Sequence, residues 1–313
     1  MGWYRRRHRP WRRQGRLLLL LALSALALWT TASRSGRAAI LPAARPTAAA
    51  PSATLRLQTL NVFGLPWPLA PDVEPRCRRI ADRVAAEDVD VIALQEAWGE
   101  DASAPFAMPE HHRASCCTPA SLFGSSGLMT LSRHPIRHAE TRVFAAAVGI
   151  ERLVSKGVLR TIVALPDGDL DVWNLHLQSG LADVAVRRAQ IDELLRWLVA
   201  AADQPRQVVL GDFNCGPGDA EFAHLVDGLR ALGFVHASCG LPTYDATQNP
   251  LAMAEAPREI DHLFVRGHRT APVARRVYDR PIDGLLPSDH FGVEATVALE
   301  PRPRDAADYE SRR

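Results

Sequence analysis

The sequence predicts an α/β fold in which two mixed sheets pack face to face, with helices on their outer faces. Three observations predict it. Apolar strand-like runs alternate with amphipathic helical stretches from residue 55 to about residue 299. Two strands, 157–165 and 169–177, are joined only by the short turn Asp-Gly-Asp, so the sheets contain antiparallel pairs. The long helical stretches are apolar on one side and need a sheet to lie against. A purely parallel, doubly wound sheet does not fit this pattern.

The elements follow in order. "TLRLQTLNVF" is a strand. "EPRCRRIADRVAAED" carries Ile80 and Val84 at helical spacing between polar faces, and "VDVIALQE" is a buried strand. "SGLMTLSR", "GVLRTIVALP" and "LDVWNLHLQ" are further strands. "DVAVRRAQIDELLRWLVAAAD" is a long amphipathic helix. "RQVVLGDFN" is a strand, and "GDAEFAHLVDGLRALG" is a helix closed by Gly233. "EIDHLFVRG" and "FGVEATVAL" complete the domain, and the charged segment 300–313 reads as a disordered tail.

The N-terminus differs in kind. Residues 1–37 hold nine Arg and no acid, followed within them by the 13-residue apolar run 17–29 and then small residues. That is the layout of a secretory signal peptide, and the run is short for a spanning helix, with a retained signal anchor as the other outcome. The expected location is secreted or periplasmic. Residues 38–54, rich in Ala and Pro, read as a flexible linker before a catalytic domain at 55–299.

Setting the first 37 residues aside leaves 28 basic against 35 acidic residues, a net charge of −7. A body that negative has no bulk attraction for nucleic acid. Hydrophobic content of 47% supports a substantial core, and a monomer is expected. Of the five cysteines at least one is unpaired or bridges chains. No CxxC pair or Cys/His ligand spacing is present, which argues against a zinc site.

The strands repeatedly end in the same residue types. "VVLGDFN" ends in Asp212 and Asn214, on one face by alternation. "VWNLHLQ" does the same with Asn174 and His176. Glu96 ends "VIALQE", Asn61 ends "LQTLN", Asp261 opens a strand, and Asp289 and His290 precede the last one. Each alone is an ordinary turn cap. Six such ends on one domain are harder to dismiss as caps, and if they converge they form a site. Four carboxylates there need a compensating charge, and hard oxygen donors without soft ones select Mg²⁺, with Mn²⁺ or Co²⁺ as substitutes. Carboxylates, amides, two His and a divalent ion describe attack of water on a phosphate ester.

"LNVFGLP", "LQEAW", "NLHLQ", "GDFN" and "SDH", in this order, resemble the endonuclease/exonuclease/phosphatase superfamily over about residues 55–299. "LQEAWGE", "SGLMTLSRHPI", "SKGVL" and "TYDATQNPLA" resemble its neutral sphingomyelinase branch. The resemblance implies a four-layer α/β/β/α sandwich with its site at one edge of the paired sheets. It implies Glu96 as principal metal ligand, helped by Asn61 and Asp289. His290 becomes general base, oriented by Asp261. Asp212 and Asn214 position water and phosphate, while Asn174 and His176 donate to phosphoryl oxygens. Lys156, the only lysine in the chain, is expected in the same pocket, where a compact ammonium fits and a planar guanidinium does not. His262 stands where the family often has Tyr.

The expected substrate is a phospholipid at a membrane surface, with sphingomyelin first. Phe63, Leu65 and Trp67 follow Asn61, and "GLLP" precedes Asp289, as an apolar rim for entering lipid. A secreted nuclease needs a basic surface that the body lacks. A phosphoinositide or inositol phosphate phosphatase needs a basic cluster, for which Arg133, Arg137, Arg152 and Arg160 are the candidates. A non-catalytic scaffold would lack one of the site residues, and all are present.

Overall fold

The computed structural model describes residues 37–46, 54–117, 124–253 and 256–301. Its strands are β1 (Arg37–Leu41), β2 (Leu55–Asn61), β3 (Val91–Gln95), β4 (His112–Cys117), β5 (Met129–Ser132), β6 (Ile136–Val143) and β7 (Gly157–Leu165). There follow β8 (Gly168–His176), β9 (Gln207–Asp212), β10 (Val235–His236), β11 (Asp261–Arg266), β12 (Val273–Val277) and β13 (Gly292–Val297). The α-helices are α1 (Val73–Ala86), α2 (Gly99–Ser103), α3 (Val184–Ala200) and α4 (Ala220–Ala231).

The strands form two mixed sheets, ordered β1-β4-β5-β3-β2-β13-β12 and β10-β11-β9-β8-β7-β6. Period-two alternation gives each central strand two apolar faces. Leu55, Leu57, Val91 and Ala93 of the first sheet meet Val172, Val208, Leu210, Leu263 and Val265 of the second in a core between the sheets. Ile80, Cys77 and Val84 of α1 cover the outer face of the first sheet through Leu60, Ile92 and Leu94. Ile191, Leu194, Phe222 and Leu225 of α3 and α4 cover the second through Trp173, Val209 and Phe264. This is the expected four-layer sandwich.

Five strands were not legible in sequence. β6 keeps only Ile136 buried and carries Arg137, His138, Glu140 and Arg142, so no alternation marks it. β4, β10 and β12 are short or rich in His and Arg. β1 corrects the linker expectation: Arg37–Leu41 pairs antiparallel with Cys117–Arg113. An exposed sheet edge supplies the backbone partners that this Ala-rich segment cannot supply for itself. The signal segment up to residue 36 and the tail from 302 lie outside the described residues.

Two parallel pairings place the site. β2 runs parallel to β3 with Asn61 opposite Gln95, and β8 runs parallel to β9 with His176 opposite Asp212. β11 enters antiparallel, with Asp261 opposite Asp212. Four strand ends and one strand start therefore share one rim, where both sheets present their inner faces.

Candidate active site

Asn61 joins the two sheets at that rim. Its Nδ2 donates to Glu96 Oε1 (3.0 Å) and to Asp212 Oδ2 (3.0 Å), and its Oδ1 accepts from the Phe63 amide (3.0 Å). Its amide hydrogens, rather than its oxygen, face the carboxylates. Glu96 adopts a left-handed backbone (φ 58°), which costs a non-glycine residue roughly 1–2 kcal/mol. That turn leaves Glu96 Oε2 buried with no hydrogen-bond partner among the described residues.

His176 Nε2 lies 3.3 Å from Asp212 Oδ2 and 4.0 Å from Glu96 Oε1. Burial, with Lys156 and His290 nearby, holds its pKa well below the ordinary histidine value, so it is a neutral donor. The Asn214 amide donates to Asp212 Oδ1 (2.9 Å), and its side chain donates to Leu177 O (3.0 Å).

The His290–Asp261 pair lies across from these groups. Asp261 Oδ2 is 2.8 Å from His290 Nδ1, and Asp212 Oδ2 is 3.9 Å from His290 Nε2. Burial alone would lower the His290 pKa. Asp261, Asp212 and Asp289 outweigh it and push the value well above normal. Burial raises the carboxylates in turn. Glu96 is pushed up to about 7 by desolvation and by Asp289. Asp212 is pushed up to about 6, mainly by desolvation, and Asp289 is raised for the same reason.

Several supporting groups were present in the sequence motifs without an assigned role. Thr243 Oγ1 accepts from the amides of Ile260 and Asp261 (both 3.0 Å), fixing the start of β11. The Tyr244 ring packs edge-on against His290 at 5.0 Å. Asn249 Nδ2 donates to Ser288 O (2.8 Å), and Ser288 Oγ donates to Asn61 O (2.6 Å). The "TYDATQNP" stretch thus braces the rim. Trp98, two residues after Glu96, stacks near His176 at 6.5 Å.

Two expectations change. Asn174 is on the same face as His176 but one step deeper, fully buried between the sheets. Its Nδ2 donates to Leu94 O (3.1 Å) and Met129 O (2.9 Å), and its Oδ1 accepts from Gln95 (2.8 Å). Both amide hydrogens are therefore used on main-chain carbonyls of the other sheet, and Asn174 clasps the sheets rather than binding phosphate. Lys156 is 5% exposed, and its Nζ donates to Glu151 Oε1 (2.8 Å) and Leu177 O (2.9 Å). Its charge lowers the Glu96 and Asp212 pKa values and disfavours His176 protonation, but its ammonium is held by Glu151. Gly157 beside it does allow a close approach: a Cβ there would fall 2.0 Å from Arg142 O.

The rim is apolar in part. Phe63 and Leu65 pack against the α1 core, whereas Trp67 is 86% exposed, Leu69 62% and Leu285 42%. Buried Arg76 ties their loops together, donating to Val62 O, Phe63 O and Pro71 O on one side and to Pro287 O on the other.

The donor set fits a hard divalent cation. The unpartnered Glu96 Oε2 and the raised carboxylates mark negative charge the protein leaves uncompensated. Asp212, Asp261 and His290 also present ligand atoms within 4.8 Å of one another.

Among relatives, the chain is 25% identical over 290 residues to a Drosophila melanogaster protein named for neutral sphingomyelinase, covering 80% of this chain and 63% of that one. The chain thus spans less than two thirds of that relative's length. A double-mutant beta toxin from Staphylococcus aureus, crystallised with bound magnesium ions, superposes with a TM-score of 0.65 at 19% identity, covering 77% of this chain and 98% of the toxin. Truncated TDP2 from Caenorhabditis elegans superposes equally well, with a TM-score of 0.65 at 19% identity over 79% of this chain and 98% of that one. At such identities these structures speak for the fold alone. A family model matches residues 59–290, from the middle of β2 to His290, and the chain belongs to the Endonuclease/Exonuclease/phosphatase family.

Proposed function

We propose that this protein is a secreted, divalent-metal-dependent phosphodiesterase that cleaves a phospholipid, foremost sphingomyelin to ceramide and phosphocholine. The observation that carries the chemistry is the His290–Asp261 pair facing Asp212, with the unpartnered Glu96 oxygen on the same rim. Glu96 and Asp289 would hold Mg²⁺, with Asn61 orienting Glu96 through its amide hydrogens, and the ion would supply Lewis-acid charge stabilisation to the phosphoryl group. Mn²⁺ or Co²⁺ would be accommodated by the same donors.

The protein's own residues manage the proton and the orientation. Asp261 fixes Nδ1 of His290 as the protonated nitrogen, and above the raised His290 pKa the free Nε2 takes a proton from the attacking water. Asp212 accepts from Asn61 and from the Asn214 amide, which aims its oxygens at the rim. Neutral His176 donates towards developing negative charge on phosphoryl oxygens. Water attacks phosphorus, the bond to the lipid oxygen breaks, and that oxygen leaves with a proton.

The lipid assignment rests on the exposed Trp67, Leu69 and Leu285 beside the site, on the net charge of −7 over residues 38–313, and on the Drosophila relative. Of the four arginines that the phosphatase alternative would need, Arg133, Arg137 and Arg160 are engaged in ion pairs, which leaves Arg152. Arg133 pairs with Asp88, Arg137 with Asp169 and Arg160 with Asp171, the first two at the strand ends opposite Glu96. Export rests on the first 37 residues; among the described residues no helix is long and apolar enough to cross a membrane.

The test is to incubate purified protein with sphingomyelin vesicles, supercoiled plasmid and a phosphoinositide, each with Mg²⁺ and with chelator. Metal-dependent release of phosphocholine is expected. Plasmid nicking or inorganic phosphate release with sphingomyelin untouched overturns the substrate while keeping the family.

A further inference from the structure

A second cluster of ligand groups lies outside the catalytic rim. His236 on β10, His262 on β11 and Glu259 just before β11 present one nitrogen or carboxylate oxygen each within 4.8 Å of one another. The nearest pair is His236 Nε2 and His262 Nδ1, 3.2 Å apart. Two nitrogens on a tetrahedral Zn²⁺ at about 2.0–2.1 Å stand roughly 3.3 Å apart, so the imidazoles are already at ligand spacing.

The surroundings orient these groups as a metal site would. His262 Nε2 donates to Cys215 O (2.9 Å), which leaves its Nδ1 lone pair aimed at His236. Gly216 makes room for the turn holding Glu259, since a Cβ there would fall 1.8 Å from Glu259 O. Ser238 Oγ (2.7 Å), the Cys239 amide (3.2 Å) and Cys239 Sγ (3.6 Å) all donate to Glu259 Oε1. Phe213, Phe222 and Phe264 pack around the two rings. Burial also favours the neutral, ligating form of both imidazoles. Glu259 lines an open surface cleft.

We propose that His236, Glu259 and His262 form a zinc-class metal site distinct from the hard-cation site at Glu96. Two imidazoles and one carboxylate suit Zn²⁺ over Mg²⁺, with water in the fourth position. On binding, the His236 ring proton moves from Nε2 to Nδ1, and the metal takes its place between the two rings and braces β10 to the start of β11. The Cys215 carbonyl links this brace to the strand end that holds Asp212 and Asn214. His262, the departure from the family's usual Tyr, thereby has a role of its own.

The test uses chelator-stripped, purified protein in saturating Mg²⁺, titrated with Zn²⁺ by calorimetry and with Co²⁺ by visible absorption. One equivalent is expected in wild type and in Glu96→Gln, with tetrahedral Co²⁺ bands and a raised Tm. His236→Gln and, separately, Glu259→Gln should bind at least about 100-fold more weakly, more than losing an outer partner costs. Glu259 is partly exposed, so its variant keeps the test open if His236→Gln fails to fold. No uptake by wild type overturns the proposal. So does uptake that both variants retain, or uptake lost in Glu96→Gln alone.

Discussion

His290 Nδ1 lies 2.8 Å from Asp261 Oδ2, and this buried pair is the hinge of the proposed chemistry. Asp261 belongs to β11 of one sheet, and His290 precedes β13 of the other. The contact forms only when the sheets pack. Asp261→Asn should lower kcat/KM by about 10²–10⁴-fold. It should also move the activity inflection to lower pH, because a negative charge that raises the His290 pKa is gone. A pH–rate profile with metal present checks this, and an unmoved inflection counts against the pair as the proton-managing unit.

Glu96 and His290 make the metal-free protein alkali-sensitive. Both have raised folded-state pKa values, so their contribution to stability is complete below the unfolded values and is lost as pH rises through the folded ones. For Glu96 the window runs from 4.5 to about 7. Tm in chelator should fall across that window, Mg²⁺ should restore it most at the upper end, and Glu96→Gln should flatten the fall. A chelated wild type with Tm constant across the window contradicts the assignment.

Asn174→Ala should damage stability and spare chemistry. It strips partners from buried Leu94 O, Met129 O and the Gln95 amide, each costing about 1–3 kcal/mol if left unmet. Urea unfolding should show a loss of roughly 3 kcal/mol or more, with kcat per folded molecule nearly unchanged. A loss of kcat without a loss of stability would return Asn174 to the phosphate site.

Trp67→Ala should separate lipid from soluble substrates. Burying such a side chain in lipid contributes about 1.5–3 kcal/mol, or roughly 10–150-fold in vesicle affinity. Vesicle cosedimentation and turnover should drop by that order, while hydrolysis of a short-chain soluble analogue holds. An equal drop on both would place Trp67 in folding or catalysis instead.

The sequence by itself determined the order and type of the central elements. It also determined the recurring strand-end residues and the hard-donor character of their chemistry. Period-two alternation put Asp212 with Asn214 and Asn174 with His176, because the side of a strand is a local property. The tertiary structure alone decided depth. His176 and Asn174 share a face, yet the first sheet lies over Asn174 and ends before His176, so one is a clasp and the other lines the rim. It also decided that Lys156 answers Glu151, that edge strands such as β1 and β6 exist at all, and that His236, Glu259 and His262 meet. Those outcomes depend on sheet packing and on pairing between distant segments, where one long-range contact sets another and no spacing along the chain records the distance.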